Sequence, residues 1–288
     1  MSLAAAEPAS RLVSDASKGF VRVTAILFWA VHVAAIAGAV YVGVSWRWAG
    51  LALAIYFARM IVVTAGYHRY FAHRSFKTSR AMQLLLALGA QSAAQRGVLW
   101  WASHHRWHHK FSDRPEDVHS PRRHGFWYAH IGWVVSPSWG ETHADLVKDL
   151  ARYPELRFLD RDLIHLMPTV ALALAFLWLG GLPALVWGYF VTTVLVWHGS
   201  FAINSLAHLF GKRRYPTPDD SRNSMLLALI TTGEGWHNNH HFYQSSANQG
   251  FRWWEVDLTY YVLRLLAAVG LIWDLRRPPR EVVRGTAG

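Results

Sequence analysis

The chain has 288 residues, 52% of them hydrophobic and 16% charged, with sixteen tryptophans and a formal net charge of +11. It contains no cysteine, which excludes disulfides, thiolate metal sites and iron–sulfur clusters, so any bound metal must be held by nitrogen and oxygen. A basic balance accompanied by long apolar runs points to the cytoplasmic face of a membrane protein rather than to nucleic acid.

A polar segment, 1–22, precedes a charge-free run over 23–44 that is long enough to cross a bilayer as a helix. This run is too long and starts too late for a cleaved signal peptide. Ser45-Trp46-Arg47 reads as a short turn, and 48–67 as a second span interrupted by Arg59, which must face the bundle interior or snorkel. The stretch 82–94 carries Gln83, Gln91 and Ser92 and is expected to form a re-entrant or interfacial helix. Spans three and four are expected at 163–179 and 184–203, joined by a turn at Gly180-Gly181-Leu182-Pro183. A further helix over 258–272 should pack beneath the cytoplasmic part, and the basic, proline-containing end from 276 should be disordered.

The two inter-span turns are short and nearly uncharged, whereas the other connections are long and basic, so both termini and the central region are expected in the cytoplasm. The expected fold is an all-α integral membrane protein of four transmembrane helices with a cytoplasmic helical cap. One domain would cover 23–274, its cap built from 68–162 and 204–274, followed by a basic tail over 275–288.

The chemistry concentrates in His104-His105-Arg106-Trp107-His108-His109. On a helix His105 and His109 lie one turn apart, with His108 beside them, which is spacing suited to metal ligands. Two further clusters hold His68 and His73, and His237, His240 and His241, while Asn204 and His208 lie between. All fall on the expected cytoplasmic side. Nine histidines are too many for a four-ligand structural zinc site and suit a two-metal centre with open positions, as in iron proteins that activate O2. His32 and His198 lie inside spans and should hydrogen-bond between helices. His119, His124, His143 and His165 read as surface or hinge residues, and His104 and His130 as bystanders or supports.

The boxes His68-Arg69-x-x-x-His73, His105-Arg106-x-His108-His109, Asn204-Ser205-x-Ala207-His208 and Gly233-Glu234-Gly235-x-His237-Asn238-x-His240-His241 closely resemble those of the membrane-bound fatty acyl desaturases, the stearoyl-CoA delta-9 type in particular. The resemblance runs from about Val23 to Asp274. It implies a di-iron centre that uses O2 and two electrons to remove two hydrogens from adjacent methylenes, leaving a cis double bond. Carried over by box, one iron would take His68, His73, His105, His109 and His241. The other would take His108, His208, His237 and His240, with a water held by Asn204. Gln95, Trp101 and Ser200 match family positions at the bend of the substrate tunnel, which implies a delta-9 product.

The sequence departs from the acyl-CoA pattern at Ser103-His104 and Pro137-Ser138, where the animal enzymes carry charged pairs. Arg96 and Arg122-Arg123 are the candidate replacements for binding a carrier phosphate. Acyl-CoA stands first among the expected substrates, ahead of acyl carrier protein and phospholipid. The chain shows no cytochrome b5 haem motif, so a separate donor is expected: ferredoxin, rubredoxin or cytochrome b5 with its reductase. A related di-iron hydroxylase and a histidine-rich metal transporter are the alternatives. Against the latter, transporters place their ligands near the bilayer midplane.

Overall fold

The computed structural model describes residues 15–284. Its helices in chain order begin with α1 (Asp15–Val42), α2 (Trp46–Val63), α3 (Arg80–Gln91) and α4 (Val98–Phe111). Three short helices follow: α5 (Pro121–His124), α6 (Lys148–Ala151) and α7 (Pro154–Leu159). The second half contains α8 (Met167–Ala184), α9 (Thr192–Ser205), α10 (Met225–Ile230), α11 (His237–Phe242), α12 (Leu258–Ala268) and α13 (Arg280–Arg284).

Among the described residues, three helical stretches are long and apolar enough to cross a membrane: Val23–Val42, Trp46–Ala72 and Leu163–His208. The turn expected after the first lies where α2 begins, with Ser45 capping it through a hydrogen bond from Trp48 N at 3.3 Å. The last stretch has 46 residues, so as one straight helix it would be about 69 Å long, more than twice a hydrocarbon core of about 30 Å. It is not straight. Gly180 and Gly181 leave helical geometry, Gly181 at φ +63°, where a side chain would be strained. The chain turns back there, at the position the sequence marks as a turn. A Cβ on Gly188 would lie 2.7 Å from the Phe176 ring, so the two arms pack closely.

Arg59 is inside the bundle, 7% exposed, as its place in an apolar run demands. It donates to Thr192 Oγ1 at 2.7 Å, Thr193 Oγ1 at 2.8 Å and the Ser92 carbonyl at 2.9 Å. The expected helix at 82–94 is α3, which buries Gln83, Leu86, Ala87, Ala90 and Gln91 on one face. The main core gathers Tyr67, Phe71, Phe76, Leu156 and Leu263 around the end of α2. Burying each aliphatic or phenyl side chain contributes about 1.5–3 kcal/mol.

Two expectations need correction. The helix at 258–272 stops at Ala268, and the chain continues into a two-residue strand, β2 (Ile272–Trp273), paired antiparallel with β1 (Lys77–Thr78). The basic end is ordered through 284, because it has partners to bond and an apolar side chain to bury. Arg276 N donates to Ser75 O, Ala247 N donates to Arg276 O, and Val282 is buried against Tyr215 and Phe251. The expected N-terminal segment lies partly outside the described residues, with α1 already formed from Asp15.

Candidate metal centre

The segment after α2 is a π-helical stretch, Thr64–Ala72, rather than a continuation of the α-helix. His73 N donates to His68 O at 3.1 Å, a bond spanning five residues. In an α-helix two residues five apart point about 140° away from each other. The wider turn brings His68 and His73 onto one face, with ring centroids 4.8 Å apart. On α4, His105 and His109 share a face, as their spacing predicts, with centroids 4.6 Å apart. His208 follows α9 in a tight turn, Leu206–His208. The last box enters α11 past Gly235, where a Cβ would lie 2.1 Å from Ala228 N, a distance only glycine allows.

These elements bring the nine predicted histidines into two groups. One is His68, His73, His105, His109 and His240, and the other is His108, His208, His237 and His241, with ligand atoms in each all within 4.8 Å of one another. This corrects the division implied by the resemblance, which exchanged His240 and His241. His237 and His241 are one turn apart on α11, with centroids at 4.3 Å, so they belong together. His240 points the other way, its Nε2 lying 3.0 Å from that of His68 and 2.9 Å from that of His109.

The groups fit metal ions. Nitrogens bound at about 2.1 Å and at right angles lie about 3.0 Å apart. The Nε2 atoms of His73 and His105 are 2.8 Å apart, those of His105 and His109 3.0 Å, and those of His208 and His237 3.1 Å. The Nε2 atoms of His108 and His241 are buried and have no hydrogen-bond partner. Burial pushes His73, His105, His109, His237 and His240 well below the ordinary histidine value, and neighbouring histidines push the same way. Neutral imidazoles keep the lone pair that a metal requires.

Buried carboxylates orient the rings from behind. His108 Nδ1 donates to Asp117 Oδ1 at 2.8 Å, His208 Nδ1 to Asp113 Oδ2 at 2.8 Å, and His241 Nδ1 to Asp219 Oδ2 at 2.6 Å. His68 Nδ1 pairs with Glu234 Oε2. Each contact places the proton on Nδ1 and turns Nε2 inward as a lone pair. Burial alone would raise these acids, but their partner histidines hold Asp113, Asp117 and Asp219 well below the usual carboxylate range. Burial likewise opposes a charge on His108, yet Asp117 outweighs it and raises the histidine. For His241 burial wins over Asp219, and its pKa falls to about 4. Behind Glu234 lies Arg69, 1% exposed, which donates to Glu234 Oε1 at 3.0 Å and to Ala247 O at 2.7 Å and stands 2.9 Å from Asp257 Oδ1.

Gln95, Trp101 and Ser200 lie together. Gln95 Nε2 donates to Ser200 Oγ at 3.0 Å, and Trp101 Nε1 to Gln95 Oε1 at 3.3 Å. All three line a cavity of about 230 Å³ that also reaches His105, His119 and Asn204, with Phe28 and Trp197 in its walls. Ala94 and Arg96 flank Gln95 at φ +55° and +67°, in the left-handed region. Such paired strain suits a turn that aims one side chain at a site.

His32 and His198 do bond between helices, Nε2 to Nε2 at 3.2 Å, and His198 Nδ1 continues to His130 Nε2 at 2.9 Å. His124 is exposed, as expected. His119, His143 and His165 are not surface residues, being 4%, 5% and 3% exposed. Each finds aromatic or cavity surroundings that a sequence cannot display: His119 packs at a tilt against His108 with centroids at 4.3 Å, His143 stacks on Trp107 at 4.7 Å, and His165 lines the cavity. Of the arginines proposed to bind a carrier phosphate, Arg96 lines the cavity. Arg122 instead pairs with Asp220 at 3.4 Å, and Arg123 donates to Asp113 O at 2.9 Å.

Sequence reasoning passed over Arg69, Asp219 and the orienting role of the other carboxylates. Glu234 does carry a signal, because it lies inside a histidine box. Asp219 carries no such signal.

Apolar helices long enough to cross a bilayer, together with two converging sets of imidazoles, define a membrane-associated protein able to hold metal ions. The family model for fatty acid desaturases matches residues 45–274, and the chain belongs to that family. It is 39% identical to the sn-1 stearoyl-lipid 9-desaturase of Anabaena variabilis over 88% of this chain and 93% of that protein. It is 39% identical to a probable chloroplastic lipid desaturase of Arabidopsis thaliana, over 80% of this chain but spanning only 64% of that protein. An acyl-CoA 5-desaturase of Anemone leveillei is 38% identical over 81% of this chain and 73% of its own length.

Proposed function

We propose that this protein is an O2-dependent desaturase that introduces a cis double bond at the delta-9 position of a lipid-linked saturated acyl chain. The observation that carries the reading is the pair of histidine groups, with His105 and Asn204 lining the same cavity as Gln95, Trp101 and Ser200. When bound, two iron ions would supply the oxidising power toward an unactivated C–H bond that no side chain possesses. His68, His73, His105, His109 and His240 would hold one, and His108, His208, His237 and His241 the other, with Asn204 positioned for a water. O2, two electrons and two protons, with the two hydrogens removed from the acyl chain, would leave as two waters. The largely apolar cavity excludes bulk water and fixes one methylene pair, while Gln95, Trp101 and Ser200 set its bend.

The domain spans 23–274, with four crossings in which the stretch Leu163–His208 contributes two around the break at Gly180–Gly181. The basic connections favour a cytoplasmic site and a separate acidic electron donor such as a ferredoxin, rubredoxin or cytochrome b5. A lipid-linked chain takes precedence over acyl-CoA for two reasons. Ser103 and His104 are buried, 0% and 2% exposed, so they present no charge to a CoA phosphate. The Arg122-Arg123 pair is engaged away from the cavity. The Anabaena relative, named for a stearoyl-lipid substrate, supports the same choice.

Expression in a host lacking its own delta-9 desaturase, followed by gas chromatography and double-bond location, tests the reaction. Purified enzyme offered stearoyl-phospholipid, stearoyl-CoA and stearoyl carrier protein tests the carrier. A hydroxylated product would overturn desaturation, and turnover of stearoyl-CoA alone would overturn the lipid-linked substrate.

A further inference from the structure

We propose that the two metal positions are unequal, with the His108, His208, His237 and His241 position binding its ion tightly and the five-histidine position exchanging it. The inference rests on the binuclear reading above, and its basis is the distribution of charge and burial behind the ligands. Among the described residues, three of the four histidines in the second group donate Nδ1–H to a buried carboxylate: His108 to Asp117, His208 to Asp113 and His241 to Asp219. In the first group one of five does so, His68 to Glu234, and Arg69 already draws on that carboxylate at 3.0 Å.

A carboxylate behind an imidazole raises its basicity and fixes its tautomer, and removing one lowers metal affinity about 10–100-fold. Three such contacts outweigh the single additional imidazole of the first group. Access points the same way. All four histidines of the second group are buried, whereas His73, His105 and His109 of the first are half-buried. Asp219 is itself fixed by Ser221, whose N and Oγ donate to Oδ1 at 3.1 and 2.5 Å, and Asp113 accepts from Asp220 N at 2.8 Å. The second position is therefore rigid as well as electron-rich.

The test follows iron release rather than turnover. Iron-loaded wild-type protein is challenged anaerobically with a ferrous-iron chelator, and iron per chain is measured over time. One iron should leave at least about ten times faster than the other. His73→Ala should retain one chelator-resistant iron. Asp219→Asn should make the resistant iron about 10–100-fold more labile, whereas Glu234→Gln should leave it resistant. Release of both wild-type irons in a single phase overturns the proposal, as does a resistant iron that responds to Glu234→Gln and not to Asp219→Asn. The wild-type curve bears on the inequality even where a variant fails to fold. Fewer than two irons in loaded wild-type protein would overturn the binuclear reading, and this proposal with it.

Discussion

Replacing Arg69 by Met is the most informative perturbation of the scaffold behind the histidines. The guanidinium is 1% exposed and serves Glu234, Asp257 and the Ala247 carbonyl together. Methionine fills much of the same volume but leaves two buried carboxylates without their cation. Removing one member of a buried ionic network costs about 3–5 kcal/mol, because the remaining charge stays desolvated. Asp257 can respond by taking up a proton, since burial already pushes its pKa upward. Glu234 cannot do so without weakening its hold on His68. The expected outcome is a fall in Tm on the order of 10 °C together with loss of bound metal. Differential scanning fluorimetry on the chain's own tryptophans and elemental analysis of the purified protein measure both. Arg69→Lys should fall between, because an ammonium keeps the charge but lacks the planar fork that serves several acceptors. An Arg69→Met variant with wild-type Tm and metal content would refute the reasoning.

His119→Ala, which the sequence alone would treat as silent, should lower desaturation by about 10-fold, because it removes a buried ring from the face of His108; the fatty acid profile of an expressing host measures this. Ser200→Ala removes the acceptor of Gln95 Nε2 and should cost about 1 kcal/mol, seen as a broader spread of double-bond positions by mass spectrometry. Stability should fall as pH drops below the unfolded histidine value of about 6.5. There the unfolded chain takes up protons that His73, His105, His109, His237 and His240 refuse when folded, so each erodes stability by up to about 1.4 kcal/mol per pH unit. A melting temperature independent of pH between about 6.5 and 5 would contradict those neutral imidazoles.

Hydropathy located the apolar helices and their turns, because a bilayer imposes a length that composition must satisfy. Histidine spacing identified all nine members of the two groups, and helical periodicity placed His105 with His109. The same periodicity assigns His241 to His237, and the inherited division failed where that local rule was set aside. Other features arise only on folding. The pairing of His68 with His73 depends on a π-helical turn that the α-helical period does not foresee. Asp219 reaches His241, and Asp113 reaches His208, from segments distant in sequence. Buried histidines such as His119 and His143 looked like surface residues because burial is a property of neighbours brought together by folding. A short polar segment carries no record of those neighbours in its own composition.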